Sequence, residues 1–142
     1  MSFLLDTTAA SEPGRKAPDT GFMEWWDGVD LSAAFLSVLT IGELRKGLLR
    51  LPAGPQRLRL ERLHVLFRLK FADQVLPVDE RTAEIWGELS GKLKQAGVVI
   101  GAIDELIAAT AIAHDLTVVT RNLRHFEPTG CRVLCPWAEG HG

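Results

Sequence analysis

Short apolar runs alternate along this chain with longer stretches in which apolar residues recur every three or four positions. Residues 2–5 read as a buried strand stopped by the polar run Asp6-Thr7-Thr8, and residues 33–38, 75–78, 117–119 and 131–134 read as four more strands. Between them the spacing predicts helices. After a loop at 12–20 containing Pro13, Gly14 and Pro18 comes a short helix carrying Trp25 and Trp26. Thr40 starts a helix that runs to about residue 51, where Pro52, Gly54 and Pro55 end it, and a second follows over 56–70. Asp79 caps the next, in which Ile85, Leu89, Leu93 and Ala96 share one face. Gly97 closes it, residues 98–101 form a short connection, and an Ala- and Ile-rich helix covers 102–114. Pro136 and Trp137 finish the ordered part, with Gly140, His141 and Gly142 as a loose end. Strands alternating with helices imply an α/β chain, with a parallel sheet of about five strands covered on both faces.

Four polar residues stand near the starts of helical stretches, each preceded by an apolar run that can serve as a strand: Asp6, Glu43, Asp104 and Asn122. In a parallel α/β sheet such junctions gather at one edge, outside the carboxyl ends of the strands. Each residue has a plain structural reading as well. Asp6 fits an Asx-turn or N-cap, Thr40 with Glu43 has capping-box spacing, Asp104 complements a helix dipole, and Asn122 fits another N-cap. Caps, however, need only a short polar side chain and do not require carboxylates at three of four junctions. Clustered carboxylates repel and raise each other's pKa, so a bound cation is the natural partner. Mg²⁺ or Mn²⁺ fits, because such ions take a few carboxylates and leave other positions for water and phosphate oxygens.

A chain of 142 residues that is 46% hydrophobic supports one globular domain over 1–142. A net charge of -2 gives no global pull on nucleic acid or anionic membrane, so a nucleic-acid partner requires a local basic patch. The 56–70 helix has one: Arg57, Arg59, Arg62, Arg68 and Lys70 oppose the single acid Glu61. That helix is also more apolar than one buried stripe requires, which points with Leu44 and Leu48 to a dimer or partner-protein contact. Arg45, Lys46 and Arg50, on the helix of Glu43, and Arg121 and His125, flanking Asn122, are the better placed candidates for nucleic-acid backbone phosphates. No run approaches the roughly 18 apolar residues of a membrane span and no basic leader opens the chain, so the expected location is the cytoplasm. Cys131 and Cys135 in an extended strand would be roughly 13 Å apart, beyond disulfide reach. His64 and His114 lack zinc-site spacing, the aromatic residues form no periodic basic-aromatic platform, and there is no phosphate-cradling Gly-rich loop.

Four segments carry a wider likeness: Phe-Leu-Leu-Asp-Thr-x-x-x-Ser-Glu at 3–12, Leu-Ser-x-x-Thr-x-x-Glu-Leu-x-x-Gly at 36–47, Asp-x-Leu-Ile-Ala-Ala-Thr-Ala at 104–111, and Leu-Thr-Val-Val-Thr-Arg-Asn-x-x-x-Phe at 116–126. In this order and spacing, with Pro136-Trp137 at the end, the chain resembles a PIN-domain ribonuclease of the VapC/FitB-like type, the toxin half of a bacterial toxin-antitoxin pair. The resemblance implies a three-layer α/β/α fold and a Mg²⁺- or Mn²⁺-dependent endoribonuclease acting on structured RNA such as tRNA. It also implies dimerisation and inhibition by a cognate antitoxin. Asp6, Glu43 and Asp104 match the family's three acidic positions, and Asn122 falls where many members have a fourth acid. Ser37 and Thr120 would be hydroxyls that orient carboxylates or water. Two positions depart from the pattern: Thr8, where the family usually has Asn, and Asn122, which removes a negative charge. They leave a second reading open, a PIN module that binds RNA or antitoxin but cuts poorly. A haloacid-dehalogenase-like phosphatase would need a second Asp at position 8, and a response-regulator receiver would need a Lys after the fourth strand; both fit worse.

Overall fold

Five short strands form one sheet: β1 (Phe3–Leu5), β2 (Ala34–Ser37), β3 (Val75–Leu76), β4 (Thr117–Val119) and β5 (Val133–Leu134). In the computed structural model, which describes residues 1–138, their order is β3-β2-β1-β4-β5 and every neighbouring pair is parallel. The expected end at Gly140, His141 and Gly142 lies outside the described residues. The helices are α1 (Thr7–Ser11), α2 (Thr20–Gly28), α3 (Val38–Leu49), α4 (Pro55–Lys70), α5 (Glu80–Gln95), α6 (Ala102–His114) and α7 (Leu123–Phe126).

The central strand shows why the chain makes three layers. Side chains alternate across a strand, and β1 is apolar on both sides. Phe3 and Leu5 join Phe22, Leu44, Phe71 and Trp137 in one core with helices from the first half of the chain. Leu4 enters a second core with Leu89, Leu93, Ile107, Ala108 and Phe126 from α5, α6 and α7. On β4 the same alternation sends Val119 to the first core and Val118 to the second. This is the expected α/β/α arrangement. No helix among the described residues is long and apolar enough to cross a membrane.

Several boundaries differ from the sequence expectation. The helix expected from Thr40 starts at Val38, because Ser37 caps it by accepting from Leu39 N–H at 3.0 Å. Thr40 is fully buried within that helix, so Thr40 and Glu43 are not a capping box. β3 stops at Leu76, whose partner Ser37 is the last residue of β2, and Pro77 has no N–H to continue a ladder. β5 covers only the two residues that face Val118 and Val119. Among the described residues no strand lies between α5 and α6; Asp104 follows the 98–101 connection instead, in which Val99 is almost fully exposed. Part of what reads as polar chain after β1 is ordered as α1 and a 3-10 turn, Glu12–Gly14.

Glu12 in that turn is buried, and it fastens the C-terminal segment to the start of the chain. Its Oε1 accepts from Trp137 Nε1 at 2.9 Å and its Oε2 from Asp19 N–H at 3.0 Å. Replacing Glu12 by Ala strands the Trp137 donor in the interior and leaves the part-buried Asp19 N–H without its acceptor. The expected cost is about 3 kcal/mol, seen in urea unfolding as a lower midpoint with an unchanged slope; an unaltered midpoint would show that the tie carries no stability.

Candidate active site

Asp6 stands at the carboxyl end of the central strand and caps α1, its Oδ1 accepting from Ala9 N–H at 3.0 Å. The same oxygen accepts from Thr8 Oγ1 at 2.6 Å, and Oδ2 accepts from Thr120 Oγ1 at 2.5 Å. Only 4% of the residue is exposed. Loss of water disfavours the ionised form, and this burial pushes the Asp6 pKa from 3.8 to about 6. The three hydrogen bonds oppose the shift, and the charge of Asp104 adds a smaller upward push. Each hydroxyl is bonded onward: Thr8 Oγ1 accepts from Arg121 N–H at 3.1 Å, and Thr120 Oγ1 from Asn122 N–H at 2.9 Å.

The other candidates gather around this centre to different degrees. Glu43, half-buried on α3, accepts a hydrogen bond at Oε1 from Thr7 Oγ1, next in sequence to Asp6. Asp104 lies in the first turn of α6, electrostatically coupled to Asp6, and its Oδ2 is 3.0 Å from His125 Nδ1. Asn122 is exposed at the start of α7, without a capping hydrogen bond from its side chain. Ser37 is buried and spends its oxygen on the cap of α3. Among the described residues, no three His, Cys, Asp or Glu side chains converge into a ready metal cage. The donors that Asp6, Glu43, Asp104 and Asn122 offer are all oxygens, which suits a hard divalent cation better than zinc. Sequence reasoning missed the parts played by Thr7 and Thr8. The polar run after β1 marked their place, but nothing in it named their partners.

The basic candidates divide in the same way. Arg45 and Lys46 are exposed on α3 and Arg50 is exposed at its C-cap, and none is paired with a carboxylate among the described residues. His125 is engaged by Asp104. Backbone N–H groups of Ala138 and Phe22 hold the Asp19 carboxyl low, and Arg121 contributes a smaller share, which places its charge on that side of the site. On α4, Arg57 is occupied by Glu61 at 3.2 Å. A groove of about 680 Å³ runs between α1, α3 and α4. Leu44, Leu48, Leu60, Leu63 and Phe67 line it, and it opens onto Thr7 and Glu43.

The sequence pattern of the PIN domain matches residues 3–129. The chain belongs to the PIN domain family. It is 39% identical over 135 residues to the toxin FitB of Neisseria gonorrhoeae, covering 94% of this chain and 97% of FitB. Identity to the VapC ribonuclease Y4jK of Sinorhizobium fredii is 37% over 135 residues, 94% of this chain and 96% of that protein. The fold matches the crystal structure of FitAcB from Neisseria gonorrhoeae with a TM-score of 0.90 at 38% identity, over 96% of this chain and 99% of that one.

In this PIN domain the buried Asp6 makes stability depend on pH in a definite direction. Its pKa is higher folded than unfolded, so the fold is favoured below pH 3.8 and loses that advantage as pH rises through about 6. A shift of about two units corresponds to roughly 3 kcal/mol. In metal-free buffer the stability of Asp6→Asn relative to wild type should therefore improve by about that amount between pH 4 and pH 7. Melts of both proteins across this range measure the gap; a gap that does not change with pH would mean that Asp6 titrates normally.

Proposed function

We propose that this PIN domain, taking the chain as a single domain over 1–142, is a Mg²⁺- or Mn²⁺-dependent endoribonuclease and the toxin of a toxin-antitoxin pair, working in the cytoplasm on structured RNA such as tRNA. The observation that carries the reading is Asp6: a buried carboxylate with an elevated pKa, coupled to a second carboxylate and held by hydroxyls on both oxygens. The kinship to FitB and to the VapC ribonuclease Y4jK supports it.

Asp6, Glu43 and Asp104 would hold the ion, with the amide oxygen of Asn122 as an uncharged fourth donor. When bound, the ion supplies positive charge against the phosphodiester and makes the attacking water more acidic. Thr8 and Thr120 fix the plane of the Asp6 carboxylate, and Thr7 restrains Glu43. Ser37 sets the start of α3 and hence the helical phase at which Glu43 stands. Asp104 engages His125 at Nδ1, leaving Nε2 as the ring nitrogen that would face a phosphate or a leaving oxygen, to which it donates only when the ring carries both protons. Arg45, Lys46, Arg50 and Arg121 neutralise phosphates on either side.

The apolar groove beside Glu43 is the proposed seat of the antitoxin, because its lining of Leu44, Leu48, Leu60, Leu63 and Phe67 offers an apolar surface to a partner segment. Leu58, Val65 and Leu69, exposed on α4, are the candidate contact with a second copy. The second reading, a module that binds RNA or antitoxin and cuts poorly, draws on the neutral Asn122 and on carboxylates that are not drawn into a cage.

Cleavage of labelled RNA separates the two readings. Wild type should cut in Mg²⁺ or Mn²⁺ and stop in EDTA, while Asp6→Asn and Asp104→Asn should keep a native circular dichroism spectrum and lose cutting by at least about a hundredfold, in line with removal of a main charge-stabilising group. Full activity in either variant would sink the assignment, and wild type that binds RNA without cutting it would favour the second reading.

A further inference from the structure

Asp6 is bridged twice to one turn, and the two bridges are not equivalent. Thr120 Oγ1 links Asp6 Oδ2 at 2.5 Å to Asn122 N–H at 2.9 Å. Thr8 Oγ1 links Asp6 Oδ1 at 2.6 Å to Arg121 N–H at 3.1 Å. A hydroxyl has one proton and two lone pairs. With the proton given to the carboxylate, a lone pair is left for the amide, so each threonine is a bridge of fixed polarity. Thr120 lies two residues from the amide it receives, and its onward bond is local to the turn. Thr8 comes from α1, 113 residues away in sequence. Both bridges tie the Arg121-Asn122 turn to the Asp6 carboxylate, but only the Thr8 one does so through a side chain of α1. Beyond the turn, α7 is fastened again where His125 meets Asp104.

The geometry points to Thr8 as a positioning residue: it clamps the β4–α7 turn against α1 and so sets where Arg121 and Asn122 stand relative to Asp6. Thr8 thus carries a structural tie between the Asp6 carboxylate and the Arg121 backbone. An aliphatic side chain of the same size keeps the packing but leaves the part-buried Arg121 N–H without its acceptor. Serine preserves the hydroxyl. The inference rests on the ribonuclease reading for its activity arm only.

Backbone amide exchange followed by NMR on the metal-free full chain is the test, with Thr8→Val and Thr8→Ser beside wild type. In Thr8→Val the Arg121 amide should exchange about tenfold faster, as expected for the loss of roughly 1.4 kcal/mol. The Asn122 amide should change less, and Thr8→Ser should match wild type at both. In the activity arm, Thr8→Val should raise KM for RNA severalfold and Thr8→Ser should restore it. Unchanged exchange at Arg121 overturns the clamp. So does a uniform rise along β1 and α1, which would mark general loosening, and so does a loss of activity with Arg121 exchange intact, which would locate the effect in Asp6 itself. Thr8→Ala, read in the same way, substitutes if the valine variant does not fold. If Arg121 responds as expected while wild type fails to cut RNA, the clamp stands and the ribonuclease reading falls.

Discussion

A carboxylate that folding removes from water must find donors, and Asp6 finds its donors in separate parts of the chain. Ala9 N–H and the Thr8 hydroxyl come from α1, and the Thr120 hydroxyl from the end of β4. One side chain therefore joins the central strand, the helix that follows it and the neighbouring strand's exit turn. The donors do not fully compensate for burial, since desolvation dominates and the pKa rises to about 6. Near neutral pH the metal-free fold thus holds a charge that it disfavours, beside the second charge of Asp104. A nearby cation relieves both penalties together, which is the physical basis for reading the site as a metal centre.

The sheet divides the work between its two faces. The layer containing α1 to α4 brings Glu43, the groove and the exposed cations of α3. The other layer brings Asp104 and His125, and it is locked close to the site by Trp86 Nε1, which donates to the buried Glu105 Oε1 at 3.1 Å. Because Glu105 follows Asp104 directly, the packing of α5 on α6 fixes the first turn of α6 and the acid it carries. β1 contributes to both cores through Phe3 and Leu5 on one side and Leu4 on the other, and Asp6 directly follows that strand.

Much of this is legible in the sequence alone. Alternating strand and helix patterns gave the parallel three-layer architecture, because apolar periodicity records burial directly. Asp79 was recognised as a cap, and its carboxylate receives Thr82 N–H at 2.9 Å. What stayed hidden was set by tertiary partners. α1 is five residues long, Thr-Thr-Ala-Ala-Ser, too short to show a period. The true start of α3 depends on where β2 stops pairing, so the Thr40-to-Glu43 spacing misled. The apolar run before Asp104 looked like a strand yet has no ladder, since a few apolar residues carry no sign of whether a neighbour lies alongside. Thr8 looked like a missing amide, and its value depends on Arg121 N–H from the other end of the chain.

Titration of Mn²⁺ into metal-free wild type and Asp6→Asn, followed by calorimetry near pH 7, tests most directly whether the buried carboxylate is the centre of a metal site. Wild type should bind with an affinity at least roughly tenfold above that of the variant, the effect of deleting one charge next to the ion in a medium of intermediate dielectric. Equal Mn²⁺ affinity in the two proteins, with both folded, would show that Asp6 is a helix cap under strain and that the ion, if one binds, is held elsewhere.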